Sequence, residues 1–219
     1  MRDGLAHKLG ISADGKWILF AGTNVEASDI TSATEKYLWR VSASGGAPEV
    51  AVSAIWSFWP IRCARTMCIW GEPSSDKKQF NFFEFNPLNG KGRQLATVAV
   101  VETYPNFDIS PDGSLIAWPI TDAIRFLAVK DGKMWDVKYK GSWTLFWFDW
   151  AADGKGVFAG APGAAGGASL LHIDLQGDVQ VLWKTTTYFA TWAAPSPDGR
   201  YLAIWGGSQD SNVSMMEDF

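Results

Sequence analysis

The chain alternates short apolar runs with polar turns, and four of these turns share one pattern. The segments 9–20, 107–118, 148–159 and 193–204 align without gaps around an Asp-Gly pair. Asp-Gly between two apolar runs predicts a β-hairpin, because Gly accepts a positive φ and Asp bonds to its own backbone. We therefore interpret eight residues as structural turn residues: Asp14, Gly15, Asp112, Gly113, Asp153, Gly154, Asp198 and Gly199.

A fifth, degenerate copy spans residues 60–70, with Arg65 in place of the turn glycine. The five turn positions (15, 65, 113, 154 and 199) are 50, 48, 41 and 45 residues apart. This period is close to the roughly 40–45 residues of a four-stranded propeller blade. The sequence therefore predicts an all-β fold, a β-propeller of about five four-stranded blades. We expect a single domain over 1–219, with blades near 7–54, 55–101, 102–142, 143–187 and 188–219.

The last repeat stops at its predicted third strand, residues 212–216. A propeller normally closes its ring with a strand from the opposite end of the chain, and an open edge invites pairing with another chain. Three arrangements stay open: an N-terminal strand that closes a five-bladed ring, a chain that is part of a larger ring, and a homo-oligomer in which unclosed edges pair.

Composition and charge exclude several function classes. Hydrophobic residues make up 47% of the chain and charged residues 19%, which is typical of a globular protein. The net charge is −4 without a cluster of Lys or Arg, so no nucleic-acid partner is predicted. No apolar run reaches the roughly 18 residues of a membrane helix, so we predict no membrane insertion. The first residues lack the apolar core of a signal peptide.

Two carboxylates are candidate ligand-binding groups. Asp108 and Asp149 occupy the same position in two consecutive repeats, on the predicted innermost strand next to the channel. There they either bind a cation or a ligand, or bond to neighbouring groups of the protein. Trp150 and Trp192 are candidates for stacking on the same ligand. Packing of aromatic residues between blades explains their presence equally well. Other Trp residues near first strands are Trp56, Trp59, Trp143 and Trp147.

The two cysteines flank the degenerate turn. Cys63 and Cys68 lie on either side of the sequence Ala-Arg-Thr-Met, where the Asp-Gly pair is missing. In an aligned hairpin they approach each other, and bridging then depends on the geometry of Cα and Cβ. The sequence leaves a disulfide and two free thiols open. A disulfide would favour an extracytoplasmic compartment, either periplasm or envelope, because it forms under oxidising conditions.

No catalytic motif stands out in the chain. A nucleophile elbow of the type Gly-x-Ser-x-Gly does not occur, and His7 and His172 have no matching nucleophile in sequence. Two His and two Cys are too few for a zinc site. The sequence therefore predicts a protein that is not an enzyme and that uses no cofactor or metal.

The Ser-Pro-Asp-Gly units at 110–113 and 196–199 resemble the TolB-like, WD40-like propeller repeats of bacterial envelope proteins. From Cys63 to Phe219 the chain is also similar to the C-terminal propeller of large acidobacterial signalling proteins, which carry a kinase or winged-helix domain upstream. The segments that carry this second resemblance include 86–95, 149–156 and 170–177. Neither upstream activity has a counterpart here, since no kinase motif is present.

The resemblance implies a binding or sensor module that takes a protein or peptide partner. The alternative is a carbohydrate-binding or carbohydrate-active propeller that uses channel carboxylates and Trp. A glycosidase of this kind would need two carboxylates about 5–10 Å apart. Asp108 and Asp149 are the pair that the sequence offers.

Overall fold

The structure, a computed structural model, describes residues 7–22, 36–54, 60–100, 106–163, 166–187 and 190–207. Within these ranges the regular structure consists of β-strands. The strands are β1 His7–Ile11, β2 Trp17–Gly22, β3 Lys36–Ser42, β4 Glu49–Ala54, β5 Ile61–Cys63, β6 Cys68–Pro73, β7 Gln79–Asn86, β8 Gly90–Ala99, β9 Asp108–Ile109, β10 Leu115–Ile120, β11 Ala123–Ala128, β12 Met134–Lys138, β13 Trp147–Trp150, β14 Gly156–Pro162, β15 Ala168–Asp174, β16 Val179–Thr185, β17 Ala190–Pro195 and β18 Leu202–Gly207.

The strands form five antiparallel sheets, each made of consecutive strands. The first four sheets have four strands each: β1–β4, β5–β8, β9–β12 and β13–β16. The fifth sheet pairs β17 with β18. Neighbours in sequence are neighbours in space, because short turns join each strand to the next one. The predicted repeat of four-stranded units is confirmed. The predicted strand at 212–216 lies outside the described residues.

The chain divides into two compact units, Met1–Val137 and Lys138–Phe219. The first unit holds the first three sheets, and the second holds the fourth and fifth. The prediction of a single domain with the boundaries given above stays a prediction.

The core of the first unit lies between the faces of its consecutive sheets. Leu19 and Leu38 of the first sheet pack with Trp70 and Phe85 of the second. The opposite face of the second sheet packs on the third in a larger cluster, whose fully buried residues include Ile69, Phe80, Phe82, Phe107, Ile116 and Trp118. The second sheet is therefore apolar on both faces, because the first sheet covers one face and the third sheet covers the other.

Phe107 interlocks the second and third sheets. Its ring meets those of Phe80 and Phe82 edge to face, with centroids 6.0 and 5.1 Å away. Such a packing needs space on the facing strand, and Gly71 of β6 supplies it. A Cβ at position 71 would lie 2.5 Å from Phe107 Cε1 and 2.6 Å from Phe80 Cε1.

Candidate functional site

The Asp-Gly turns are built from a serine and an aspartate that share hydrogen bonds. In the first sheet the Ser12 hydroxyl donates to Asp14 Oδ1 at 2.6 Å. The backbone N–H of Lys16 donates to the same oxygen at 3.1 Å, and that of Trp17 donates to Ser12 Oγ at 3.0 Å. Gly15 has φ 70°, the left-handed conformation that glycine tolerates best. The third and fifth sheets repeat this network around Asp112 and Asp198.

These serine hydroxyls lower the pKa of the turn carboxylates. Ser12, Ser110 and Ser196 are the first cause of the lowered pKa values of Asp14, Asp112 and Asp198, followed by further hydrogen bonds to each carboxylate. A hydrogen bond to the charged form favours that form. The carboxylates therefore stay ionised at the turns, as a structural role requires.

The fourth sheet lacks the serine of this network. Ala151 takes its place, and Asp153 Oδ1 accepts the backbone N–H of Lys155 at 2.9 Å. The backbone bond from Gly154 N to the Ala151 carbonyl is kept at 2.9 Å, and Gly154 has φ 70°. The turn thus keeps its shape on backbone bonds and one side-chain bond.

An additional turn of the same kind is not evident from the Asp-Gly pattern. Between β6 and β7 the Ser74 hydroxyl donates to Asp76 Oδ1, and Gln79 N donates to Ser74 Oγ at 3.0 Å. Lys77 stands where the other turns have glycine, and its φ is 60°. The spacing Ser-x-Asp alone is the signal that would have revealed it.

The degenerate turn of the second sheet contains a disulfide between Cys63 and Cys68. These residues are paired across β5 and β6, and Ala64 N bonds to the Met67 carbonyl at 2.8 Å. In an Asp-Gly turn the equivalent hydrogen bond joins residues five apart, from Ser110 N to the Leu115 carbonyl. Ala64 and Met67 are three apart, so this turn is two residues shorter. Counting residues from Arg65 therefore chooses the wrong equivalent of Asp108.

Asp108 lies five residues before Gly113, so counting from Arg65 makes Pro60 its equivalent. The strand pairing instead places Arg62 at the position of Asp108 and Asp149. Arg62 pairs with Ile69, as Asp108 pairs with Ala117 and Asp149 with Phe158. This corrects the alignment made from sequence, which anchored the turn on the missing glycine. The shorter turn shifts the inner strand by two residues.

Arg62 is a buried cation that faces the third sheet. Its side chain is 7% exposed, and its Nε lies 3.7 Å from Asp108 Oδ1. Nη1 donates to the Ile61 carbonyl at 2.9 Å, and the guanidinium stands 5.6 Å from the centre of the Phe107 ring. A buried charge needs a partner of opposite sign, and Asp108 supplies it. This role of Arg62 was not predicted from the sequence.

Asp149 has a partner in the next sheet. The indole N–H of Trp192 in β17 donates to Asp149 Oδ2. The Trp192 ring also packs against Trp147, with centroids 6.3 Å apart. Trp147 is 40% exposed, whereas Trp150, the residue chosen from sequence, is 4% exposed. The structure therefore brings Asp149 and Trp192 together and places Trp147 beside them at the surface.

The ligand-binding role of Asp108, Asp149, Trp150 and Trp192 stays a prediction. Asp108 belongs to the first unit, whereas the other three belong to the second. Trp56 and Trp59 lie outside the described residues. Trp143 is half-buried, and its carbonyl accepts the hydroxyl of Tyr139 at 3.0 Å.

Within the described ranges, no cluster of three or more His, Cys, Asp or Glu residues could hold a metal ion. His172 lies in β15 against Phe158, with ring centroids 5.4 Å apart. His7 belongs to β1. Among the same residues, no helix is long and apolar enough to span a bilayer.

A cleft of about 560 Å³ opens between the first two sheets, at the end where the hairpin turns lie. Its wall includes Trp17 and Asp14 of the first sheet, and Met67, Phe85 and Leu88 of the second. Leu88 stands at the tip of the β7–β8 turn and is 58% exposed. The wall of the cleft thus combines exposed apolar side chains with polar ones.

Arg40 fixes the two walls of this cleft relative to each other. Its guanidinium stands 5.3 Å from the Trp17 ring centre, and its Nη1 donates to the Pro87 carbonyl. Nη2 donates to Glu49 Oε2 at 2.9 Å. On the other wall, the Asn86 side chain accepts the backbone N–H of Leu88 at 2.8 Å. The cleft is therefore preformed.

Two solved structures have folds similar to that of this chain. The chain superimposes on TolB from Acinetobacter baumannii with a TM-score of 0.65 and 13% identity, over 94% of this chain and 56% of that one. It superimposes on the β-propeller domain of Cps50 (Swd1) from Myceliophteria thermophila with a TM-score of 0.57 and 11% identity, over 94% and 63%. The chain has a β-propeller fold.

The predicted TolB-like and WD40-like resemblance is confirmed at the level of the fold. The chain spans less than two thirds of either of these two proteins. No protein-family model and no curated protein sequence matches it. The similarity to acidobacterial signalling proteins stays a prediction.

Proposed function

We propose that this chain is a non-catalytic propeller module that binds a protein or peptide in the cleft between its first two sheets. The observation that carries this proposal is the preformed cleft, with the exposed Leu88 and the indole of Trp17 in its wall. Its size lies within the range of about 300–1,000 Å³ that is usual for binding pockets.

The chemistry of the cleft suits a short peptide. An apolar side chain of the peptide would pack between Trp17 and Leu88, since aromatic residues in clefts contribute most to such interfaces. Around them, Asp14 and the Asn86 turn offer polar groups for the peptide backbone. The walls are held by Arg40, so binding would cost little ordering of the protein.

A displayed library of random peptides, selected on the immobilised chain, tests this proposal. We expect enriched peptides whose affinity, measured by calorimetry, falls at least about 10-fold for Leu88→Asp because a carboxylate would line the apolar pocket. Leu182→Asp, at a residue 40% exposed on β16, is the matched control and should bind normally. Selection without enrichment, or peptides indifferent to Leu88→Asp, would contradict the proposal.

The alternative function is carbohydrate binding in the second unit. What supports it is the pair of Trp147 and Trp192 beside Asp149, because sugar rings stack on exposed indoles and bond to carboxylates. A glycan array probed with the natural chain and with Trp147→Ala distinguishes the two functions. Binding that disappears with Trp147→Ala and survives Leu88→Asp would favour the carbohydrate function.

We also propose that the protein works in an extracytoplasmic compartment. The disulfide Cys63–Cys68 supports this, because such bonds persist under oxidising conditions. Alkylation of intact cells before lysis, followed by mass analysis of the peptide that contains both cysteines, is the test. A doubly alkylated peptide would contradict the proposal.

A further inference from the structure

The sequence contains one Asn-Gly pair, Asn89–Gly90, at the end of the turn that joins β7 to β8. Asparagine is a heat-labile residue in proteins, since the main-chain nitrogen of the next residue can attack its side-chain amide. A glycine in that next position has no side chain to hinder the attack. Whether the reaction occurs in a folded protein depends on what holds the two residues.

The first half of this turn is held by hydrogen bonds. The Pro87 carbonyl accepts a bond from Arg40 Nη1, and the Asn86 side chain accepts the backbone N–H groups of Leu88 and Asn89 at 2.8 and 3.2 Å. These bonds fix the main chain as far as the nitrogen of Asn89. They place no constraint on the Asn89 side chain.

The Asn89 side chain and Gly90 lie in open surroundings. Asn89 is exposed, and its side-chain amide has no hydrogen bond to any residue in the part of the chain that the structure describes. A Cβ built on Gly90 would meet no atom within 4 Å. Gly90 and Asn86 form the last pair of the β7–β8 ladder, and the end of a ladder opens most easily. A ring that joins Asn89 Cγ to Gly90 N therefore has space to form.

The Asp-Gly pairs of the described turns are held differently. In each of them an Asp oxygen accepts the backbone N–H of the residue after the glycine, at 2.9–3.2 Å; the aspartates are Asp14, Asp112, Asp131, Asp153 and Asp198. Serine hydroxyls also lower the pKa of Asp14, Asp112 and Asp198, and an ionised carboxylate resists nucleophilic attack. The turns thus protect these aspartates in a way that Asn89 lacks.

We propose that Asn89 is a site of spontaneous deamidation in the folded protein. The main-chain nitrogen of Gly90 loses its proton and attacks Asn89 Cγ, the Cγ–Nδ2 bond breaks, and the amide nitrogen leaves with that proton as ammonia. Water then opens the resulting succinimide at either of its carbonyl carbons. The product is aspartate, or isoaspartate, in which the main chain runs through the former side chain. Water is consumed and ammonia released, and no oxidant or reductant is needed.

The modification changes the wall of the cleft between the first two sheets. Asn89 lines this cleft beside Leu88, and either product replaces its neutral amide by a carboxylate. Isoaspartate also lengthens the main chain of the turn. The reaction requires only the chain and water, so it is independent of the proposed peptide binding.

The experiment follows the intact 219-residue chain, with its disulfide, during storage at neutral and at mildly alkaline pH. Samples are digested with trypsin, and mass spectrometry measures the peptide 79–91, whose mass rises when a hydroxyl replaces the amide group. We expect this rise to grow with time and to be faster at the higher pH, where more of the Gly90 nitrogen is deprotonated. A sample digested before storage corrects for deamidation during the digestion.

The same peptide contains two internal controls. Asn86 precedes Pro87, whose ring nitrogen cannot attack, and Asn81 lies within β7 before Phe82. Fragment ions should therefore place the mass rise at Asn89 alone. The variant Asn89→Gln keeps an exposed amide but must form a larger ring, so its peptide should stay unchanged over the same period.

Storage in guanidinium chloride distinguishes the contribution of the fold from that of the sequence. In the unfolded chain Asn89 and Asp112 are both free to form succinimides. In the folded chain we expect Asn89 to keep at least about a tenth of its unfolded rate, because only the end of a ladder has to open. Isoaspartate formation at Asp112 should instead slow by more than about 100-fold, because the whole turn would have to open.

Four results would overturn the proposal. They are an unchanged peptide 79–91 in the folded chain, a mass rise located at Asn81 or Asn86, an equal mass rise in Asn89→Gln, and a folded rate below that tenth. The last result would mean that the turn protects Asn89 as well.

Discussion

Replacing Gly71 by Ala tests the packing between the second and third sheets. A Cβ at this position would lie 2.5 Å from Phe107 Cε1 and 2.8 Å from its Cζ, and 2.6 Å from Phe80 Cε1. Carbon atoms in contact normally stand about 3.5–4.0 Å apart. Two rings would therefore have to move by roughly 1 Å.

The rings have little room for that movement. Phe80 and Phe107 are 0% and 1% exposed, and Phe107 also packs edge to face on Phe82. Overpacking of a core costs about 1–3 kcal/mol, and weakened aromatic contacts add about 0.5–1.5 kcal/mol. The lower entropy of the unfolded chain with Ala returns about 0.4–1 kcal/mol. We expect Gly71→Ala to lower the free energy of unfolding by about 2 kcal/mol.

Urea denaturation followed by tryptophan fluorescence, with the disulfide kept oxidised, measures this loss. At this chain length 2 kcal/mol corresponds to a fall of roughly 4–8 °C in Tm. Gly10→Ala is the matched control, because Gly10 lies in β1 and a Cβ there would meet no other atom within 4 Å. This control variant should unfold at or slightly above the natural midpoint.

Phe107→Leu in the Gly71→Ala background should recover part of the loss, since the smaller side chain leaves space for the methyl group. The double variant should lose at least about 1 kcal/mol less of the free energy of unfolding than the two single variants lose together. Equal midpoints for Gly71→Ala and the natural chain would refute the reasoning, as would strict additivity of the two changes.

Four further predictions concern the turns. Ala151→Ser should restore the missing hydroxyl of the fourth sheet and raise the free energy of unfolding by about 0.5–1 kcal/mol in urea, whereas no gain would contradict the hydrogen-bond account. Lys77→Gly should raise it by about 0.5–1 kcal/mol because it relieves the positive φ, and an unchanged midpoint would show that Lys77 is unstrained. Cys63→Ser/Cys68→Ser should lower the free energy of unfolding by about 2 kcal/mol, because the disulfide no longer restricts a loop of six residues in the unfolded chain. An unchanged urea midpoint would show that the disulfide does not stabilise the fold. The pKa of Asp112 is lowered in the folded state, so its ionised carboxylate stabilises the fold above the unfolded pKa near 3.8, and this stabilisation is lost as pH falls through the folded pKa. The urea midpoint should therefore be constant near neutral pH and should fall once the pH is below about 4. A midpoint that rises in acid would contradict this.

The local chemistry of the turns could be predicted from sequence because it depends on residues close together in the chain. Asp14 and Gly15 supply the carboxylate and the positive φ by themselves, and the serine two residues before the Asp completes the network. The same holds for the order of strands, since each sheet pairs consecutive strands through short turns. The period of the repeat then indicated the propeller fold.

The neighbours of the candidate site residues could not be predicted in this way. Asp108 meets Arg62, 46 positions earlier, and Asp149 meets Trp192, 43 positions later. These contacts depend on how one sheet packs on the next, and the two-residue shortening of the disulfide-bonded turn moved Arg62 into register. No pattern within one repeat carries that information.

Exposure was decided by tertiary packing as well. Trp147 and Trp150 lie on the same short strand and look alike in sequence, yet one is 40% and the other 4% exposed. They point to opposite faces of the sheet, because side chains alternate along a strand. The sequence by itself determined the repeat, the turns and the fold class, which rest on local backbone preferences and on hydrophobic periodicity. The tertiary structure decided which carboxylates are paired and which aromatic residues reach solvent, because these depend on contacts between distant segments of the chain.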